Sequence, residues 1–301
     1  MMNKPLVVPR KRHYGSPIGI ALFLLPGLGI FTVMMLYPTV QSVIYSLLNW
    51  QGLRNTREFV GLANYVHVLR DPVVYTALTN NFRAWLLYNF VQLPIALLLA
   101  FALSRKVRFA SLFRFLYYIP SVTSGSALAL MWLFIFTADY GLNNFLRKIG
   151  LGLLVRRWLS TDGIVQWTTN IPETWQWVGF YMVIFMAAIS CIPEEFFEAA
   201  QIDGANAWQQ LLHITLPSIV PVYIAASITV LKDALNAYIY PFIMTEGGPL
   251  HMSETLVTYT LNQIWNERQW GYGSALAVLH FALSALAAGL VWRFSRKSRE
   301  A

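Results

Sequence analysis

The residue types able to do covalent or metal chemistry are scattered through this chain without converging. Five histidines, His13, His67, His213, His251 and His280, show no H-E-x-x-H or other ligand spacing. His280 stands alone in an apolar run and is read as hydrogen-bonded to a neighbouring helix. The one cysteine, Cys191, can form neither an intrachain disulfide nor a thiolate cage. Serines and threonines abound, yet no G-x-S-x-G nucleophile elbow occurs. Nor does G-x-x-x-x-G-K-[ST], so no P-loop for ATP is present. Two charged clusters remain. Glu194, Glu195, Glu198 and Asp203 fall in EEFFEAAQIDGANAWQQLLHITLP, residues 194–217, which holds no Lys or Arg. Lys232 and Asp233 fall in LKDALNAYIY, inside a long apolar run. The first cluster offers a charged surface to a protein partner or to the membrane interface, and the second offers polar contacts to a solute or to a neighbouring helix.

The elements that carry these clusters are set by composition. Of 301 residues, 56% are hydrophobic and only 12% charged, with mean hydropathy +0.49. A soluble globular domain carries roughly 25% charged residues. Half that value cannot keep a surface polar, so most of this one faces lipid. The net charge of +8 does not point to nucleic acid, because the basic residues flank apolar runs, as in RKRH (10–13), SRKVR (104–108) and RFSRKSR (293–299). Such flanks anchor and orient spanning helices on an anionic leaflet. Six runs approach the roughly 20 apolar residues needed to span a bilayer core: about 17–40, 84–103, 112–136, 175–192, 218–244 and 272–292. The first is too long for a signal-peptide core and is read as an uncleaved span. Prolines at 26, 94, 120 and 221 fall in or near spans, where neighbouring helices can satisfy the freed carbonyls.

The expectation is therefore an all-α integral membrane protein with six transmembrane helices and both termini cytoplasmic. Lys and Arg are denser in the two tails and the second connection (Arg105, Lys106, Arg108, Arg114) than in the three opposite loops. Residues 1–16 and 293–301 form basic cytoplasmic tails around a transmembrane domain over 17–292, with no internal repeat. DYGLNNFLRKIG, residues 139–150, reads as a short amphipathic helix in an outside loop.

On this topology the acidic segment faces the cytoplasm between spans 4 and 5. Pro193 suits the first turn of a helix, and Glu194 and Glu195 complement the positive end of its dipole. Gly204 is a C′ position, and Asn206 caps a second short helix running to His213. Pro217 marks the turn into the next span. The pair presents Phe197, Ala200, Leu211 and Leu212 beside the carboxylates. An interfacial helix on the bilayer would carry Lys and Arg instead, so docking of a protein partner suits the segment better than simple packing on the membrane.

The stretch EAAQIDGANAWQQLLHITLP resembles the cytoplasmic signature of bacterial ABC importer permeases: EAA, three residues, Gly, nine residues, I-x-L-P. Glu198, Ala199, Ala200, Gly204, Ile214, Leu216 and Pro217 hold the seven specified positions at the family's spacing. FVGLANYVHVLRDP (59–72), FRFLYYIPSVTSGSALALMWLFIFTADYGLNNFL (113–146), IPEEFFEAAQIDGA and PFIMTEGGP (241–249) extend the resemblance to the carbohydrate-uptake permeases of the maltose and glycerol-phosphate type. In the last, Glu246 replaces a Gly usual in the family's TGGGP turn. The resemblance implies that residues 193–217 are coupling helices, with Glu198 making an ion pair or capping contact at an ATPase. Asp203 either joins that contact or caps the turn. It also implies a first span outside a five-helix core, a second permease subunit, two ATPase subunits holding the ATP and Mg, and an extracytoplasmic solute-binding protein. The setting would be multi-pass in the bacterial inner membrane. No cofactor, metal or catalytic residue is expected in the chain itself, and the cargo class is a sugar or polyol.

A charge at a helix centre costs on the order of 2.5–3.5 kcal/mol, so Lys232 and Asp233 should face a cavity or a partner. At 100° per residue Asp233, Asn236 and Tyr240 share one stripe. They either line a solute path, joined by Tyr181, or form a polar lock against a neighbouring helix or permease. Gly247, Gly248 and Pro249 make a tight outside turn, either a docking point for a binding protein or an ordinary loop. Trp175 and Trp177 read as interfacial belt residues. From a different class, an autonomous carrier or channel fits the topology, but it shows no inverted repeat here and leaves the signature unexplained.

Overall fold

The computed structural model describes residues 17–52, 57–105 and 107–300, without the side chains of 17 and 290–300. Residues 1–16, Arg54, Lys106 and the basic side chains of the C-terminal tail lie outside the described residues. The described residues are helical almost throughout. In order come α1 (Pro17–Phe31), α2 (Tyr37–Ser46), a two-residue antiparallel pair β1 (Leu48–Asn49) with β2 (Glu58–Phe59), and α3 (Ala63–Arg70). Next are α4 (Pro72–Leu87), α5 (Leu93–Ser104), α6 (Ala110–Val122), α7 (Gly125–Phe136), α8 (Gly141–Lys148) and α9 (Val165–Thr168). Then follow α10 (Ile171–Ile189), α11 (Glu194–Ile202), α12 (Ala207–Gln210), α13 (Leu216–Leu235), α14 (Ile239–Thr245), α15 (Leu256–Trp265) and α16 (Trp270–Glu300).

Among the described residues five helical stretches are long and apolar enough to cross a membrane: 18–46, 72–104, 125–148, 207–245 and 270–289. A sixth is added if 165–189 and 194–202, bent by 82° at their junction, count as one. Three of the stretches stay helical across a proline by the same device. A π turn precedes Pro38, Pro94 and Pro217, and Tyr37, Leu93 and Leu216 donate five residues back to Thr32, Tyr88 and Leu211. A proline removes one N–H and crowds the carbonyl four residues earlier, and the wider turn makes room for that carbonyl.

Several expected boundaries move for physical reasons. The second span begins at Pro72, twelve residues before the expected Ala84, because Asn80 and Asn81 in its first half are buried and hydrogen-bonded despite their polarity. The expected third span is two helices, α6 and α7, parted at Thr123, whose carbonyl accepts from Gln176 Nε2 at 3.1 Å. The fifth ends at Leu235 and restarts at Ile239. α16 runs unbroken past residue 292 to Glu300. Pro217 does not turn the chain: α12, the π turn and α13 are one continuous path. The amphipathic helix expected at 139–150 is α8, Gly141–Lys148.

The principal core lies where α5, α10 and α13 meet around Met182, Phe185, Leu93 and Ile219. α6 crosses α10 so closely at Gly179 that any Cβ there would collide with the Tyr117 carbonyl. A second core joins α3, α4, α15 and α16. A third seats α14 on α7. The apolar side chains of α1 remain exposed along its length, from Ile18 to Phe31.

Candidate functional site: the acidic elbow and the polar groups between the spans

The acidic segment folds as a helical elbow whose backbone groups are satisfied by local chemistry. Pro193 occupies the N-cap position of α11, one residue before the first turn in which it was expected. Glu194 and Glu195 follow at the positive end of the helix dipole. At the far end Gly204 has φ +79, a left-handed conformation that favours glycine. Its N–H donates to Gln201 O (3.1 Å) and that of Ala205 donates to Ala200 O (2.8 Å). This pairing is a Schellman motif. Asn206 and Gln209 then close a reciprocal capping box, at 2.8 and 2.9 Å, to start α12. Asp203 is the C-cap residue by backbone position.

Glu194, Glu195, Glu198 and Asp203 are all exposed, and none forms an ion pair among the described residues. The apolar residues expected on the outer surface are partly elsewhere. Leu211 is buried and Phe197 packs against the main core, because the π turn and α13 draw this side of the elbow inward. Leu212 is exposed as expected, at 40%, and it is joined by Phe196, Ile202 and Trp208, at 58%, 87% and 58% exposure. Behind α11 lies a cavity of about 1180 Å³ reached by Ser104, Arg105, Arg114, Glu194, Glu198 and Gln201. Arg105 donates through Nη2 to Gln210 Oε1 at 2.6 Å, and Gln210 Nε2 donates to Ala205 O at 2.9 Å. The basic connection after α5 is thereby tied to the elbow turn. Sequence reasoning missed this link, since the two residues are 105 positions apart.

Toward the opposite end, polar groups from several helices meet in pairs. Asp233 receives a hydrogen bond from Tyr181 OH on Oδ2 (3.2 Å) and faces Lys232 Nζ across 3.1 Å from Oδ1. Tyr181 is buried, whereas the Lys232 and Asp233 side chains are 62% and 38% exposed. The expected stripe of Asp233, Asn236 and Tyr240 does not form. α13 stops at Leu235, so helical spacing no longer relates these residues. Asn236 is exposed and folds back onto Lys232 O (2.8 Å). Tyr240 is 1% exposed and donates to Gln176 Oε1 at 2.7 Å, locking α14 to α10. The helix end itself is held by Asn81, whose Nδ2 donates to Ala234 O at 2.6 Å while its Oδ1 accepts from Leu256 N at 3.0 Å. Two further residues had no signal in the sequence: Glu173 on α10 accepts from Tyr88 OH on α4's continuation at 2.7 Å.

At the turn after α14, Glu246 takes φ +50 and Gly247 φ +80. A Cβ on Gly247 would collide with the buried Glu254 carboxylate. Ser253 Oγ donates to Gly248 O (2.7 Å), and Asn80 Nδ2 donates to Met252 O and Glu254 O (2.8 Å each). Gly247, Gly248 and Pro249 are thus held by groups from α4 and the following loop. Nearby, Asp71 caps α4 through Val73 N (2.9 Å) and accepts from Tyr259 and Tyr272 hydroxyls at 2.5 Å each. Burial pushes the Asp71 carboxyl up, but those three hydrogen bonds outweigh it and hold the group below the usual carboxylate range. Trp175 is 41% exposed, with its ring edge-on to Trp132.

Residues 92–300 match the family model described as binding-protein-dependent transport system inner membrane component. The chain is 33% identical, over 93% of its length and 96% of the relative's, to the probable ABC transporter permease protein YurN of Bacillus subtilis strain 168. It is 32% identical to the lactose transport system permease protein LacF of Rhizobium radiobacter, covering 84% of each. In fold it resembles a chain of a bacterial alginate ABC transporter crystallised with an alginate-pentasaccharide-bound periplasmic protein, with TM-score 0.80, 20% identity and coverage of 93% of this chain and 94% of that one.

Proposed function

The chain belongs to the binding-protein-dependent transport system inner membrane component family, and from that membership we propose that it is the permease subunit of an ATP-driven importer for a sugar or related polyhydroxylated solute. Several relatives carry sugar-transport names, among them those for lactose and for arabinooligosaccharides. Members of this family are transport subunits without an ATP-binding domain, and hydrolysis falls to a separate ATPase. ATP and its Mg ion would bind there.

The observation that carries the mechanism is the elbow of α11 and α12. It joins exposed carboxylates and apolar side chains to a helix that runs on without interruption into a span. In this reading six spans place both termini in the cytoplasm, and the chain sits multi-pass in the inner membrane. The exposed Glu198, with Ala199, Ala200 and Asp203, docks on the ATPase alongside Phe196, Ile202 and Trp208. Closure of two ATPase subunits on ATP pushes the elbow. Because Gly204 and Asn206 leave no loose backbone at the bend, the motion passes along α12, Ile214, Leu216 and Pro217 to α13. Access then alternates across a path shared with a second permease subunit.

Asp233 and Tyr181 are the side chains of this chain that best suit contacts with a hydroxyl-rich cargo, flanked by Lys232 and the exposed Asn236, while Tyr240 holds α14 in place. The firmly supported turn at Gly247, Gly248 and Pro249 offers an extracytoplasmic solute-binding protein a shaped surface. The test is Gly204→Pro in the assembled transporter. Proline fixes φ near −65° and lacks the N–H that closes the Schellman motif, so insertion should persist while uptake is lost. Uptake at the wild-type rate would refute the coupling role.

A further inference from the structure

At the end of the molecule opposite the elbow, a pocket of about 430 Å³ opens between the first half of α4, the loop before α9 and the loop after α14. Its volume lies within the roughly 300–1,000 Å³ typical of small-molecule sites. Its walls include Tyr75, Thr76, Thr79, Arg83, Asp162 and Gln166. On α4, positions 76, 79 and 83 follow the three- and four-residue spacing of a single helix face. None of these residues belongs to the elbow or to the Asp233 and Tyr181 pair.

The hydrogen-bonding capacity left over inside this pocket is specific. Thr76 and Thr79 spend their hydroxyl protons on Pro72 O (3.2 Å) and Tyr75 O (2.7 Å), and so offer lone pairs only. Tyr75 is fixed at the rim by its hydroxyl bond to Leu69 O (2.7 Å), with its ring half exposed. Arg83 uses one N–H on Asn80 Oδ1 (2.9 Å) and keeps the rest of its five donors. Asp162 Oδ1 accepts from Gly163 N (2.7 Å) and Gln166 Nε2 (3.0 Å), leaving Oδ2 as an acceptor. Gln166 is 5% exposed, its Oε1 is itself buried, and through Nε2 it holds the Asp162 carboxylate in place.

A simple anion would be drawn to Arg83 but opposed by Asp162, which feels the Arg83 charge. A cation meets the reverse conflict. A neutral solute bearing several hydroxyls satisfies both groups, since each hydroxyl both donates and accepts, and a ring with one apolar face can lie against Tyr75. We propose that this pocket is an entry subsite for one ring of a neutral polyhydroxylated solute, with Asp162 accepting from its hydroxyls, Arg83 donating to them, Gln166 orienting Asp162 and Tyr75 flanking the ring. Its place in transport rests on the importer reading: cargo released at the outer mouth is held here before it reaches the path between the spans.

The test uses the assembled transporter in nanodiscs, with Thr79→Cys introduced on a Cys191→Ser background. The rate of labelling by a small water-soluble thiol reagent is measured with glucose, maltose, glucuronate and glycerol 3-phosphate as probes. An occupied pocket shields the cysteine, so a neutral sugar at about ten times its Kd should slow labelling about tenfold. The two anions should protect far less, and Asp162→Asn, on an exposed loop, should abolish the protection. No protection by either neutral sugar, or equal protection by the anions, would overturn the assignment. ATPase activity of the same preparation, stimulated by its solute-binding protein, is recorded in parallel. Stimulation without protection defeats the pocket alone, and protection without any ATP-dependent activity defeats the importer reading alone.

Discussion

Glu246 shows how a single side chain can sit against the backbone it occupies. Its φ of +50 lies in the left-handed region, where a Cβ is crowded by the neighbouring carbonyl at a cost of roughly 1–2 kcal/mol. The carbohydrate-permease turn that this stretch resembles usually has glycine at that position, and the conformation supplies the reason. Glu246→Gly is expected to raise the thermal midpoint in detergent, by a net gain of about 0.5–1 kcal/mol once the greater freedom of the unfolded glycine is counted. A lowered midpoint would mean that the Glu246 carboxylate makes a stabilising contact in the assembly. Asp71 is the opposite case, a residue matched to its surroundings. Its folded carboxyl is held below its ordinary value, so its contribution is complete above the ordinary carboxylate pKa and is lost as pH falls through the lower folded value. Asp71→Asn removes the charge that Tyr259 and Tyr272 donate to, at about 1.5–3 kcal/mol per charge-assisted bond. The variant should unfold at lower temperature at pH 7, and the gap from wild type should narrow only under strongly acidic conditions. A gap independent of pH down to the acid limit would place the effect in shape, not charge. The pairing of Asp71 with its two tyrosines left no mark in the sequence, because they lie 188 and 201 residues away.

At the scale of the element, the elbow was the most legible part of the chain. Gly204 and Asn206 carry local backbone rules, and local rules survive in the sequence. The breaks within spans were not legible. The gap between α6 and α7 and the one between α13 and α14 are stabilised by Gln176 and Asn81, side chains that arrive from other helices. Hydropathy runs straight through both, and the expected stripe of Asp233, Asn236 and Tyr240 was lost with the second. The continuation of the helix across Pro217 was hidden for a related reason, since a π turn is a backbone response to proline and not a residue preference. The elbow's mechanical role can be graded as well as abolished. Gly204→Ala retains the N–H but places a Cβ at φ +79, with no neighbouring atom to strike. Its cost is thus conformational, about 1–2 kcal/mol. Uptake by Gly204→Ala should fall between that of wild type and of Gly204→Pro, at equal membrane abundance. An alanine variant as inactive as the proline variant would mean that ATPase contact, not bend geometry, is what the substitution disturbs.

At the scale of the whole molecule, the exposed side chains of α1 are those of an apolar span and suit lipid. The face that calls for a partner is the elbow, with four carboxylates and the apolar Phe196, Ile202, Trp208 and Leu212 turned outward and unpaired among the described residues. Burying such large side chains returns roughly 1.5–3 kcal/mol each, which is sufficient reason for a partner to remain bound there. The decisive measurement is purification of the tagged chain in mild detergent from its native membrane, with the co-purifying proteins identified. It should be run for wild type and for the double substitution Ile202→Asp with Trp208→Ser. The wild type should bring down a P-loop ATPase and a second permease, and the double variant should lose the ATPase while keeping the permease. A chain recovered alone, in a preparation that still transports, would contradict the coupling role and favour an autonomous carrier.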